Sequence, residues 1–268
     1  MFKELFRIYD YREMLKNSVR KELRARYKKS VLGFFWTFLN PLLQLLVYSF
    51  VFNQIMSVKA PAGQNYTLLI FVGLVPWTCI SATINQSTTV IIANANLIKK
   101  IYFPRLILPL SMTLTNFINM LLTEIIVFAA VLVLSPRAPI TIAYLFLPIV
   151  FLAVFLLSFS IAVLLSALTV YFRDLEHIFG IITMFWFYLT PVIYPVSLLT
   201  DNGINSTLFT LYKLNPTFGI IDSIHQIMLN GQFPVGKYLG YDIVFSLVML
   251  VIALAVFDKC QRRFAEEI

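Results

Sequence analysis

VRKELRARYKKSVLGFFWTFLNPLLQLLVYSFVF, residues 19–52, joins a cationic segment to an apolar run with only Gly33 between them. Leu15, Val19, Leu23 and Tyr27 recur every fourth residue, and Lys16, Arg20, Arg24 and Lys28 form the neighbouring stripe. That spacing predicts a helix lying at a membrane surface, with its apolar side in the acyl boundary and its cations toward phosphates and cytosol. Such a helix reads as a topogenic anchor or as one that also touches a cytosolic partner. The apolar run, residues 34–56, is about 23 residues or ~35 Å of helix, enough to cross a bilayer.

The rest of the chain agrees with a bilayer as solvent. Hydrophobic residues make up 59% and charged residues 13%, against about 45–50% and 25% in soluble domains. The formal charge of +8 does not point to nucleic acid, because ten of the 21 Lys and Arg residues precede the first apolar run. That clustering fits anionic headgroups and the positive-inside rule. More than 30 largely polar residues come first, so no cleavable signal peptide is expected. Cys79 and Cys260 are too far apart to pair.

The hydropathy pattern predicts an all-α membrane protein of six spans: residues 34–56, 67–93, 106–134, 140–172, 178–198 and 238–257. Residues 1–33 form the amphipathic region, residues 199–237 a re-entrant outer region, and residues 258–268 a cytoplasmic tail. Thr190-Pro191 and Tyr194-Pro195 interrupt the fifth span, and the fourth is long enough to require tilt or a kink at Pro148. With six spans, 17 basic residues fall on the inner side and Lys59, Arg137, Lys213 and Lys237 on the outer, placing both termini in the cytoplasm.

Three spans carry polar residues. Thr37, Asn40, Gln44 and Tyr48 line one face of the first, residues 81–89 read SATINQSTT, and Ser111, Thr115, Asn119 and Thr123 repeat at fourfold spacing in the third. Polar groups in hydrocarbon need protein or water beside them, so each stripe reads as helix packing or as a transport path. Glu124 is either functional or a structural hydrogen-bonding group. Residues 96–109 read as a short turn with two greasy knobs, Tyr102 and Phe103, and a basic rim of Lys99, Lys100 and Arg105. His177 and His225 read as interfacial and polar-face residues.

Chemistry of its own is missing. The sequence holds no G-x-x-x-x-G-K-[ST] loop, no metal-spaced His/Cys group and no set of intramembrane carboxylates. Energy for transport is expected from another subunit.

The stretches RYKKSVLGFFWTFLNPLLQLLVYSFVF, KKIYFPRLILP, YFRDLEHI, LNPTFGIIDSIHQIM and FAEEI resemble the permease subunits of ABC exporters for cell-surface polysaccharides: O-antigen, capsule and teichoic acid. The resemblance covers nearly the whole chain. It implies a homodimeric permease in a bacterial cytoplasmic membrane, paired with two copies of an ATPase that binds ATP and Mg. Its substrate would be a polyprenyl-pyrophosphate-linked polymer. The ATPase would meet Arg20, Arg24, Lys28, Lys99, Lys100, Tyr102, Phe103 and Arg105. The path would run past Phe34, Phe38, Asn40, Gln44, Tyr48, Phe185, Trp186 and Tyr188, since aromatic faces suit sugar rings. The alternatives are a related permease for a drug or lipid, and a membrane enzyme acting on lipid-linked sugars. The enzyme predicts acid or His clusters, which the sequence does not show.

Overall fold

The computed structural model describes residues 8–26, 35–55, 65–135, 140–201 and 205–267. The expectations for Lys28, Gly33 and Phe34 lie outside the described residues. Among those described the chain is helical, with no strand. The elements are α1 (Arg12–Arg26), α2 (Trp36–Ser49, continued by a π-helical turn, Phe50–Ile55), α3 (Tyr66–Ala93), α4 (Ala95–Lys100), α5 (Ile107–Leu134) and α6 (Leu147–Leu168). Then follow α7 (Leu175–Tyr188), α8 (Val196–Asp201), α9 (Ser206–Lys213), α10 (Phe218–Asn230), α11 (Gly236–Cys260), a 3-10 turn (Gln261–Arg263) and α12 (Phe264–Glu267).

Among the described residues, four helical runs are long and apolar enough to cross a bilayer: α3, α5, Ile142–Leu168 and Gly236–Arg263. The apolar stretches in α2 and α7 are shorter. Helix α7 has 14 residues, about 21 Å. It stops at Tyr188 because residues preceding a proline avoid helical geometry and Pro191 follows closely.

The over-long fourth span needs no kink. A 3-10 turn, Ile142–Phe146, is capped by Thr141 Oγ1, which accepts the Ala143 N–H at 3.3 Å. Pro148 then falls in the first turn of α6, where a missing N–H costs nothing, and the helix ends at Leu168.

Helix α3 forms the axis of the bundle and packs against α2, α5, α6, α7 and α10. Leu68, Phe71, Val75 and Ile84 of α3 meet Val154 and Leu157 of α6 and Ile224 of α10 in one core. The polar run SATINQSTT fits there because Thr83, Ser87 and Thr88 are buried. Ser87 donates to the Ile84 carbonyl at 2.6 Å and Thr88 to the Asn85 carbonyl at 2.7 Å, so these hydroxyls are satisfied one turn back.

The segment between α7 and α11, expected as a re-entrant outer region, holds α8, α9 and α10. Helix α10 is enclosed, with Ile220, Ile221, Ile224, Ile227, Asp222, Ser223 and His225 all buried. His225 is therefore not a polar-face residue: its Nε2 lies 2.9 Å from the Leu69 carbonyl of α3. A tertiary partner, invisible to helical periodicity, satisfies its ring.

A second core gathers the other end of the molecule. Ile98, Phe103, Leu106, Phe257 and Phe264 are buried together with Ile8, which precedes α1. Helix α1 lies against α5, and Ser111 Oγ donates to Glu22 Oε1 at 3.1 Å. The amphipathic segment thus has a protein surface as well as any lipid to cover its apolar side.

Candidate functional site

Helices α2, α3 and α5 enclose a cavity of about 210 Å³. Its polar lining is Asn40 and Gln44 from α2, Thr78 from α3, and Asn116, Asn119 and Thr123 from α5, with Trp36 beside them. Asn119 and Thr123, four residues apart, project from one face of α5 toward the Asn40 and Gln44 face of α2. Two stripes read separately in the sequence therefore meet across one cavity.

The hydrogen bonding leaves this surface incomplete. Asn119 Nδ2 donates to the Thr115 carbonyl of its own helix at 2.9 Å, while its Oδ1 is buried with no partner among the described residues. An orphaned buried acceptor calls for water or a ligand hydroxyl. Asn116 Nδ2 reaches Thr83 Oγ1 and Gln86 Oε1, each at 3.1 Å. Asn40, Gln44, Asn85 and Gln86 are exposed. Exposed amides on a spanning helix require protein or water rather than lipid. The surface is neutral, rich in donors and acceptors, and suited to hydroxyl-bearing molecules.

Trp36, Thr78 and Asn116 were not singled out by sequence reasoning. Asn116 lies three residues before Asn119, so allowing i, i+3 as well as i, i+4 spacing would have found it. Nothing local in the sequence marks Trp36 or Thr78.

The aromatic candidates separate. Phe185 and Tyr188 are exposed on α7, outside the cavity. Trp186 is half-buried: its Nε1 donates to Asn215 Oδ1 at 2.7 Å, and its ring stands edge-on to Trp77 with centroids 6.0 Å apart. Phe38 and Tyr48 are half-buried on α2.

At the basic end, α4 leads into an irregular elbow, residues 101–104. Tyr102 is 83% exposed, but Phe103 is only 5% exposed and belongs to the second core. The two-knob reading is corrected to a single knob, because Phe103 packs into the second core beneath the elbow while Tyr102 stays outside it. Arg105 also turns inward. Its guanidinium donates to the Gln261 carbonyl and lies 5.7 Å from the Phe264 ring centroid. Lys99 and Lys100 are exposed beside Tyr102, and Arg20 and Arg24 are exposed on α1.

Glu124 is buried in α5, and neither carboxylate oxygen has a hydrogen-bond partner among the described residues. No group of three or more His, Cys, Asp or Glu able to hold a metal occurs among the described residues.

With these helices and their polar cavity established, comparison with known proteins decides the family. Residues 14–229 match the ABC-2 type transporter family. The chain belongs to that family. The O-antigen export system permease protein RfbA of Myxococcus xanthus is 34% identical over 261 residues, covering 97% of both chains. A Klebsiella pneumoniae protein of the same name is 32% identical over 247 residues, covering 92% of this chain and 91% of its own. The polysialic acid transport protein KpsM of Escherichia coli is 24% identical over 245 residues, covering 88% and 89%. For an ABC-2 type transporter chain, a transport role accounts for an uncharged polar cavity set among apolar helices.

Proposed function

We propose that this chain is the permease subunit of an ATP-driven exporter. It moves a polyprenyl-pyrophosphate-linked surface polysaccharide or teichoic acid across the cytoplasmic membrane of a bacterium. The observation that carries this reading is the amide-lined cavity between α2, α3 and α5, with the orphaned Asn119 Oδ1. The names of the O-antigen and polysialic acid relatives supply the substrate class.

In this reading α2 and α7 also cross the bilayer, making six spans, and α8, α9 and α10 form a re-entrant outer region. The basic end is cytoplasmic, as the unequal distribution of Lys and Arg favours. Two copies of the chain enclose the path and pair with two ATPase subunits. Asn40, Gln44 and Asn119 exchange hydrogen bonds with sugar hydroxyls. Phe34, Phe38, Tyr48, Phe185, Trp186 and Tyr188 offer ring faces over which a glycan slides without deep traps. Neutral hydrogen-bonding groups suit this task, because a fixed charge would hold a phosphate-bearing polymer in place.

The sequence has no P-loop, so ATP and Mg are bound by the partner. Arg20, Arg24, Lys28, Lys99, Lys100 and Tyr102 meet that partner, while Phe103 and Arg105 support the elbow from beneath. Purified alone, the chain is expected to hydrolyse no ATP. Co-expressed with its partner ATPase, it is expected to yield a complex that does, and depletion is expected to leave glycan accumulating inside the cell. Hydrolysis by the isolated chain, or depletion without such accumulation, would overturn the proposal.

A further inference from the structure

The sequence ends in a charged stretch, DKCQRRFAEEI, which reads as a solvated tail. Instead Phe264 is 0% exposed. Its ring meets Phe257 edge-on at 5.6 Å and lies under the Arg105 guanidinium. Where α11 passes into the 3-10 turn, two backbone carbonyls accept from distant side chains, the Gln261 carbonyl in addition to the Phe264 N–H. Arg105 donates to the Gln261 carbonyl, and Tyr171, just beyond α6, donates to the Cys260 carbonyl at 2.8 Å.

The elbow itself is weakly held. Among its backbone groups, the Ile101 N–H reaches Leu97 and the Pro104 carbonyl accepts from Ile107, and no helix runs through residues 101–104. Its position depends on side chains: Ile98 and Phe103 beneath it pack in the same cluster as Phe257 and Phe264. Ile101 and Tyr102 stay exposed above.

We propose that Arg105 and Phe264 are positioning residues that lock the elbow to the end of α11. A push received at Tyr102 then moves a spanning helix instead of bending a loop. The terminal segment is a latch. The transmitted push rests on the exporter reading above; the latch itself does not.

The test uses nitroxide labels at Ile101→Cys, exposed on the same elbow, and Glu267→Cys, in a chain carrying Cys79→Ala and Cys260→Ala and purified with its ATPase. The parent is expected to give one narrow distance distribution. Phe264→Ala and Arg105→Ala are expected to broaden it while ATPase co-purification persists. Surface carbohydrate labelled by periodate and hydrazide, per ATP hydrolysed, is expected to fall about tenfold, an ordinary size for coupling between sites. Phe264→Leu, which keeps the apolar volume, is expected to restore most of both. An unchanged distribution in Phe264→Ala overturns the latch, and a broadened one with an unchanged export ratio overturns the transmitted push. If Phe264→Ala fails to insert, Phe264→Leu and Arg105→Ala decide between the same outcomes. A parent chain that recruits no ATPase refutes the exporter reading, and the distance measurement on the permease alone still decides the latch.

Discussion

Asp242 Oδ2 accepts the backbone N–H of Ile220 at 2.8 Å, so a side chain of α11 caps the first turn of α10. The two helices cross closely here. A Cβ added at Gly219 would stand 2.4 Å from the Tyr238 carbonyl carbon and 2.8 Å from the Leu239 nitrogen. Helix α10 is thereby clasped to α11 by one carboxyl group and one missing side chain.

Asp242→Ala leaves that N–H buried and unpaired, at a cost of about 1–3 kcal/mol. Thermal unfolding in detergent is expected to show a midpoint lower by about 2–4 °C per kcal/mol, as in domains of similar length. Asp242→Asn keeps an acceptor oxygen and is expected to lose less. Gly219→Ala forces backbone apart and is expected to be at least as harmful as Asp242→Ala.

At the other contact of α10, Gly73 makes room for His225. A Cβ there would lie 2.8 Å from His225 Nε2 and 3.3 Å from the Val192 Cα. Gly73→Ala displaces the ring from the Leu69 carbonyl, and overpacking of this kind costs about 1–3 kcal/mol. Proteolysis at the segments flanking α10 is expected to accelerate in this variant; an unchanged cleavage rate would mean that the ring has room to move.

Tyr102 and Phe103, adjacent in sequence, are expected to behave oppositely. Phe103→Ala opens a hole in the second core and costs about 3–5 kcal/mol, seen as lost folded protein. Tyr102→Ala removes an exposed ring. It is expected to leave the melting midpoint within a degree or so while reducing the yield of co-purified ATPase.

The cavity separates transport from folding. Asn119→Leu removes the orphaned oxygen and fills polar space with an apolar side chain, so the purified chain is expected to be at least as stable as the parent. Export is expected to fall in cells with normal amounts of permease. Retained export would show that the polymer passes elsewhere.

Much of the architecture was legible because hydropathy reports burial in lipid directly. The boundaries of α3, α5 and α11 fall within a few residues of the runs read from the sequence. The break after α7 was legible through Pro191. The polar faces of α2 and α5 were legible as stripes, since helical spacing places such residues on one side. Their meeting was not, because spacing along one helix says nothing about which helix lies opposite.

The amino-acid sequence by itself determined that the chain is helical and apolar, that its cations gather toward one side, and that it lacks a nucleotide-binding loop. These follow from composition and local periodicity, which act through the nearest residues and the solvent. Only the tertiary structure decided that Phe103 and Phe264 are core, that Arg105 reaches the turn beyond α11, and that His225 and Asp242 hold α10. Each depends on a partner far away in sequence, and the penalty for a buried group without a partner selects that pairing only once the helices have packed.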